Sequence, residues 1–473
     1  MKGENEMLTY NFSNIGSDSL YEFLYKCIKG DIMQGKLHAG EKLPSKRNLA
    51  KNLGISVITV ENAYSQLSAE GYIYSVPKSG FYIAELDTES LKKKKDTYKQ
   101  TEQKETNFSP IADFTSNQTE SSVFPFTTWS KIMREVMNED QAKMMLNPPC
   151  GGIQALRQNI ASYLKEFRGM EVRPDQIIIG AGTEYLYGLL IQLLGTDRIY
   201  GIENPGYRKV AKVCESMRVT VRYIEMDEQG VNATSLEENG VEVMHLSPTH
   251  HFPTGIVMPI SRRYELLGWA TKDANRYIIE DDYDSELRLR GKPIPTLQSI
   301  DVSDKVIYMN TFSKTLCSTV RISYMVLPEQ LAERYKQELS FYSCTVSNFE
   351  QYTLSAFIEL GYFEKHINRL RTHYQKKRNV FLDAFLKGPL GPYVTIREED
   401  AGVHFLMKIN TQIKEEFLLE QASEKGIRLV PLSAFYHTKE VAAVPRNTYV
   451  MNYSFVDSEK AEYVAKTLYE IIH

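Results

Sequence analysis

Asn310-Thr-Phe-Ser-Lys-Thr-Leu-Cys-Ser-Thr-Val-Arg321 follows directly on the strand-like apolar run Val306-Ile-Tyr-Met309. It sets a lysine between small hydroxyl residues, with an arginine one loop later. That grouping suits a reactive amine beside a bound phosphate. Burial and neighbouring cations lower a lysine's pKa, which frees the amine to condense with an aldehyde. Pyridoxal phosphate offers both the aldehyde and the phosphate. Upstream, Arg276-Tyr-Ile-Ile-Glu-Asp-Asp-Tyr283 is a β-branched run that ends in acids. Carboxylates at the C-terminal end of a buried parallel strand sit where open α/β sheets bind ligands, and one of them can pair with a protonated pyridine nitrogen. Taken singly, each motif is better matched by ordinary structure: a surface loop for Lys314, a helix N-cap for Asp281 or Asp282. Thr311-x-x-Lys314 also fits the Ser/Thr-x-x-Lys pattern of penicillin-binding enzymes, but the sequence has no Ser-Asp-Asn or Lys-Thr-Gly companion.

A length of 473 residues implies two or three domains, and 42% hydrophobic with 25% charged residues is ordinary for a globular chain. Met1-Lys-Gly-Glu-Asn-Glu-Met7 lacks the apolar segment of a signal peptide. Apolar runs such as Leu189-Leu-Ile-Gln-Leu-Leu194 fall far short of the roughly twenty residues that span a bilayer. The expected location is the cytoplasm, with no membrane partner. Cys27, Cys150, Cys214, Cys317 and Cys344 are odd in number and scattered, which argues for reduced thiols and against a structural zinc. A formal net charge of -4 excludes general affinity for polyanions, so any nucleic-acid contact needs a local patch.

Near the amino terminus, Leu20, Phe23, Leu24, Cys27, Ile28 and Ile32 recur at helical spacing. Pro44 and Ser45 mark a second helix start, Gly54 its stop, and Ser56 caps a third helix with Val60, Ala63, Tyr64 and Leu67 on one face. Two helices joined by so short a turn form a helix-turn-helix. Tyr72 to Val76 and Phe81 to Ala84 read as a hairpin or wing through Pro77-Lys-Ser-Gly80. Between Glu41 and Glu61 there is no acid, while Lys42, Lys46, Arg47 and Lys51 are present. That stretch could meet phosphates or could be a solvated helix face, and charge alone leaves the choice open.

Leu43-Pro-Ser-x-Arg-x-Leu-Ala50, Gly54-Ile-Ser-x-x-Thr-Val60, Ala63-Tyr64-x-x-Leu67-x-x-Glu70-Gly71-Tyr72 and Ser79-Gly-Phe-Tyr82 together resemble the winged helix-turn-helix of the GntR family. The resemblance implies a duplex DNA operator as partner. It implies contacts from Ser45, Lys46, Arg47, Ser56 and Thr59, with the wing tip of Lys78, Ser79 and Gly80 near the minor groove. The family often has arginine after the serine that opens the recognition helix, whereas this chain has Val57. An apolar residue can touch a thymine methyl but cannot read guanine bidentately.

The polar, charged stretch from about residue 86 to 108, with Lys92-Lys-Lys-Lys95, reads as a linker between a head at 1–85 and a body at 109–473. In the body, helices alternate with short apolar strands, which indicates a mostly parallel α/β sheet. Gln176-Ile-Ile-Ile-Gly-Ala-Gly-Thr183 is a strand, a glycine turn and a helix start whose N–H groups can hold a phosphate. His250 and His251 are adjacent, but no nearby cysteine or carboxylate completes a metal-ligand set, so no metal is expected.

Pro149 to Arg157, Gly180-Ala-Gly-Thr183, Glu203-Asn-Pro-Gly-Tyr207, Ser247-Pro-Thr-His250, Phe252-Pro-Thr-Gly255, Glu280-Asp-Asp-Tyr283, Thr311-Phe-Ser-Lys314 and Arg321-Ile-Ser-Tyr324 resemble, in that order, a fold-type I aminotransferase. Joined to a GntR-type head, the chain is similar to the MocR/GabR family of transcription regulators. The resemblance implies a winged helix-turn-helix plus an α/β pyridoxal-phosphate-dependent transferase body. The large subdomain would cover about 145–345 and a smaller α+β one about 348–473. It further implies an internal aldimine at Lys314, a pyridinium partner in Asp281 rather than Asp282, a ring-hydroxyl contact from Tyr283 and stacking by Tyr207. Gly182, Thr183, Thr311, Ser313 and Arg321 would surround the phosphate. A homodimer is implied as well.

In the γ-aminobutyrate-sensing branch of that family, two arginines hold the ligand carboxylate. Here Lys209 stands at the first place and Phe455 at the second, while Arg208 or Arg446 could compensate. The expected function is a regulator whose body senses another amine or amino acid, or pyridoxal phosphate itself. The alternative is a working aminotransferase with an accessory head.

Overall fold

The computed structural model describes residues 8–10, 12, 18–86, 110–116, 118–139, 141–289, 291, 294–400, 402–437 and 444–473. They fall into two compact units that divide between residues 107 and 108. The linker stretch beyond Leu86, with its four lysines, lies outside the described residues.

In the first unit, α1 (Leu20–Met33), α2 (Lys46–Leu53) and α3 (Val57–Ala69) precede a hairpin of β1 (Ile73–Val76) and β2 (Gly80–Ile83). The helix boundaries follow from local chemistry. Ser45 Oγ accepts from Asn48 N–H at 3.2 Å and Ser56 Oγ from Thr59 N–H at 3.1 Å, which satisfies an orphan donor at each helix start. Gly54 closes α2 with φ 67°, a conformation that costs a side-chain-bearing residue more. Leu24, Ile28, Val60, Ala63 and Leu67 are fully buried where the helices meet. Each large aliphatic among them stabilises the unit by roughly 2 kcal/mol.

The second unit is built on seven strands: β4 (Ile177–Gly180), β5 (Ile199–Asn204), β6 (Thr220–Glu225), β7 (Val243–Leu246), β8 (Tyr277–Asp281), β9 (Val306–Thr311) and β10 (Ser323–Val326). Their order across the sheet is β4-β10-β9-β8-β7-β5-β6, parallel except for β10. Both faces are covered, as the continuous apolar runs require. Ile177 and Ile179 pack into one core and Ile178 into another, the period of two expected of a strand. A short pair joins β3 (Ala112–Asp113) to β13 (Ile427–Arg428), and β11 (Val394–Arg397), β12 (His404–Ile409) and β14 (Thr448–Asn452) form an antiparallel sheet. The β3–β13 pair ties residues far upstream of 145 to the C-terminal part, a union that the sequence, read in order, did not suggest.

Candidate functional site

The parallel strands end along one edge of the large sheet, and the site residues are their last residues or lie in the turns just beyond them. β8 ends at Asp281 and β9 at Thr311. β4 leads through Gly182 into α4 (Thr183–Leu194), and β5 through Tyr207 into α5 (Arg208–Ser216). Register sets Gly180 opposite Ser323 and Ser323 opposite Thr311, so three loops leave at one level. They enclose a cavity of about 580 Å³, within the usual range for a small-molecule site. Lys314, Asp281, Tyr283, Tyr207, Gly182, Thr183, Thr311, Ser313 and Arg321 all line it.

The two adjacent acids have different fates. Asp282 is buried and committed: its Oδ2 accepts from Arg168 at 2.6 Å and from Tyr308 and Ser285 at 2.7 Å, while Oδ1 takes the Thr249 hydroxyl. Asp281 reaches the cavity. Its Oδ2 lies 3.6 Å from His245 Nε2, and its Oδ1 is buried without a hydrogen-bond partner. A buried carboxylate oxygen is costly unless paired, so Asp281 suits a charged N–H donor in the cavity.

Burial pushes the Lys314 amine down to about 8; the charge of Lys209 adds to this and the Asp284 carboxylate opposes it. Tyr283 Oη lies 3.3 Å from His250 Nδ1, which is 2.9 and 3.0 Å from the two Asp284 oxygens. Gly402, at φ 66°, makes room for this pair, since a Cβ there would stand 2.3 Å from His250 Cε1. His251 turns elsewhere, to Thr254 at 2.6 Å and Glu203 at 3.4 Å. The expectation that no carboxylate completes a ligand set around His250 fails in space. Asp284 and His404 each bring a ligand atom within 4.8 Å of it and of each other. Arg168 and Arg288 line the adjoining void, however, and a divalent ion there would meet them as like charges.

At the other end, Gly182 caps α4 with φ 100°, and a Cβ on it would stand 2.1 Å from Arg321 Nη2. Arg321 donates to Glu184 Oε2 at 2.8 Å and Lys209 to Oε1 at 3.1 Å. Burial works against the Glu184 carboxylate, yet its own backbone N–H, Arg321 and Lys209 hold it at about 2. Thr311 Oγ1 already accepts from Ser313 N–H at 3.2 Å and Ser323 Oγ at 2.9 Å, so it braces the loop. Lys209 lines the cavity. Among the described residues, Arg208, Arg446 and Phe455 do not, and Phe455 is exposed. Glu184, Asp284, Ser318, His404 and Asn452 line it too and were not picked out. Ser318 lies inside the lysine loop, Glu184 directly after Thr183 and Asp284 directly after Tyr283, so adjacency to the motifs is the signal they offer.

In the head, Ser45, Ser56 and Thr59 are occupied in helix caps, with Ser56 Oγ 2.8 Å from Thr59 Oγ1. Lys46 donates to Glu61 at 2.7 Å, and Ser79 Oγ lies 2.6 Å from Tyr82 Oη. Arg47 and Lys78 are exposed. Ser45, Lys46, Ser79 and Gly80 line one open groove of about 490 Å³ between α2 and the wing.

Residues 20–83 match the family described as bacterial regulatory proteins, gntR family, and residues 110–466 match aminotransferase class I and II. The uncharacterized HTH-type transcriptional regulator YdeL of Bacillus subtilis strain 168 is 38% identical over 417 residues, covering 88% of this chain and 90% of YdeL. The chain belongs to the MocR/GabR family of transcription regulators. The probable rhizopine catabolism regulatory protein MocR of Rhizobium meliloti is 29% identical, covering 93% of this chain and 90% of MocR. Among solved structures, the kynurenine aminotransferase of Pyrococcus horikoshii, crystallised with PMP, superposes on this MocR/GabR-family body with TM-score 0.67. It is 28% identical and covers 77% of this chain and 91% of its own. No helix among the described residues is long and apolar enough to cross a membrane.

Proposed function

We propose that this MocR/GabR-family protein is a cytoplasmic, homodimeric regulator that binds an operator through its head. Its body holds pyridoxal phosphate at Lys314 and responds to a small amine or amino acid. The observation that carries the reading is the partnerless, buried Asp281 Oδ1 in the same cavity as the depressed amine of Lys314. These residues fit the cofactor. Asp281 would hold the pyridinium N–H, and Tyr283, hydrogen-bonded to His250, the ring hydroxyl. Tyr207 would lie against the ring. Ser313, Arg321 and the N–H groups at Gly182 and Thr183 would take the phosphate. When bound, the cofactor supplies an aldehyde that accepts amines and a ring that withdraws electrons. Lys314, with its amine near 8, keeps an appreciable fraction unprotonated at neutral pH to receive that aldehyde or yield it to an effector amine. An effector moves the protein only by favouring one conformation over another.

A second reading, in which pyridoxal phosphate is itself the signal, draws on Glu184. Its carboxylate already takes Arg321 and a backbone N–H at the start of α4, the donors a phosphate would use. Under that reading the operator complex responds to cofactor removal and ignores every amine.

The test is an absorbance screen of the full-length protein against amines, followed by operator footprinting with any compound that shifts the yellow band. The expected result is that such a compound also changes operator affinity, and that Lys314→Ala loses both responses but keeps the footprint. Sustained turnover of an amino donor with a keto acid, at roughly one per second or more, would instead make the body a working aminotransferase.

A further inference from the structure

The N-terminal half of α3 presents Val57, Ile58, Glu61 and Asn62 outward, because Val60, Ala63, Tyr64 and Leu67 take the buried face. Val57 is 43% exposed and Ile58 68%. Two adjacent β-branched side chains exposed to this extent gain little for the unit's own core. In a helix-turn-helix, this first turn of the second helix meets base edges in the major groove. The polar groups beside them are largely spoken for: Ser56 and Thr59 bond each other in the cap, and Glu61 is paired with Lys46 at 2.7 Å. Asn62 is exposed one turn on. From Val57 to Ala69, α3 has no lysine or arginine, so it has no side chain of the kind that reads guanine O6 and N7 bidentately. The apolar feature of the major groove is the thymine 5-methyl, and a carboxamide matches adenine N6 and N7. Exposed Lys42, Arg47, Lys51 and Lys78 supply the complementary charge for a duplex.

We infer that α3 is an A·T reader. Val57 and Ile58 pack on thymine methyls and Asn62 pairs with adenine, while Arg47 and the wing fix the backbone. This rests on the DNA-binding reading of the head and goes beyond it by stating what the recognition helix selects.

The experiment uses full-length protein to select tight duplexes from a random pool, then remakes the selected duplex with deoxyuridine in place of thymidine, which deletes only the 5-methyl groups. Wild type should enrich A·T pairs and bind the deoxyuridine duplex roughly tenfold more weakly, as expected for two buried methyl groups. Val57→Ala/Ile58→Ala should bind the thymidine duplex with about that same loss and no longer distinguish the two duplexes. Both positions are exposed, so circular dichroism should show an unchanged fold. Equal affinity of wild type for the two duplexes overturns the inference and leaves DNA binding intact, as does a double variant that still discriminates. A protein that enriches no duplex overturns the DNA-binding reading and the inference together.

Discussion

The head and the body place their chemistry in opposite surroundings. In the head, Ser45, Arg47, Ser56, Lys78 and Ser79 are exposed and the rest of the expected contact set half-buried. In the body, Asp281, Gly182 and Thr311 are buried, and of the nine residues expected to hold the cofactor only Arg321 is exposed. Exposed charges act through high dielectric and are weakened by salt, whereas enclosed ones act through low dielectric and shift their own protonation. The lysines show the contrast: Lys46 sits in a surface pair with Glu61, while the Lys314 amine is pushed down to about 8. Salt should therefore disturb the head and pH the body.

The largest effect expected is a double dissociation. Lys314→Ala should abolish the yellow absorbance and borohydride labelling and leave the footprint unchanged, whereas Arg47→Ala should weaken operator binding and leave the spectrum alone. A variant that moves both readouts equally would erase the division between the units. Next, Asp281→Asn should weaken cofactor retention by roughly tenfold to a hundredfold, the worth of a charge-assisted hydrogen bond, measured by dialysis against free cofactor. Asp282→Asn should instead lower thermal stability, since it breaks the buried pair with Arg168. Equal retention in wild type and Asp281→Asn would remove Asp281 from the cofactor's ring. Third, the pH dependence has a definite sign. The Lys314 amine is protonated below its pKa and free above it, so the rate of reloading cofactor-stripped protein should climb with pH and level off above about 8. A rate still climbing toward about pH 10, where an ordinary lysine titrates, would contradict burial as the cause. The smallest effect sharpens the contrast from the head: Arg47→Ala should reduce the slope of log affinity against log salt by about one, while reloading of the body should change little with salt.

Several elements were legible because their signal is local. The caps at Ser45 and Ser56, the stop at Gly54 and the strand into Lys314 depend on neighbours within a few residues. The three-dimensional neighbours of His250 were not, since Asp284 and His404 reach it from a different loop and a different sheet. Ser45, Ser56 and Thr59 are expected DNA contacts as well; in the structure the Ser45 and Ser56 hydroxyls each accept a backbone N–H, and Thr59 Oγ1 lies against Ser56 Oγ, a pairing that residue type alone does not reveal.

By itself the sequence determined the kinds of group available and their order: a lysine loop after one strand, acids after another, a glycine turn before a helix, and a helix-turn-helix ahead of them all. The motif resemblance favours Asp281 over Asp282, but only the tertiary structure supplies the reason, because burial against Arg168 and Tyr308 consumes Asp282 and leaves Asp281 an oxygen to offer. It also decided that Glu184 holds both Arg321 and Lys209, and that Arg208 stands outside the cavity lining. The physical reason is that covalent order fixes which side chains a loop carries. Which of them lose water and which meet a partner depends on strand register and on packing between segments far apart in the chain.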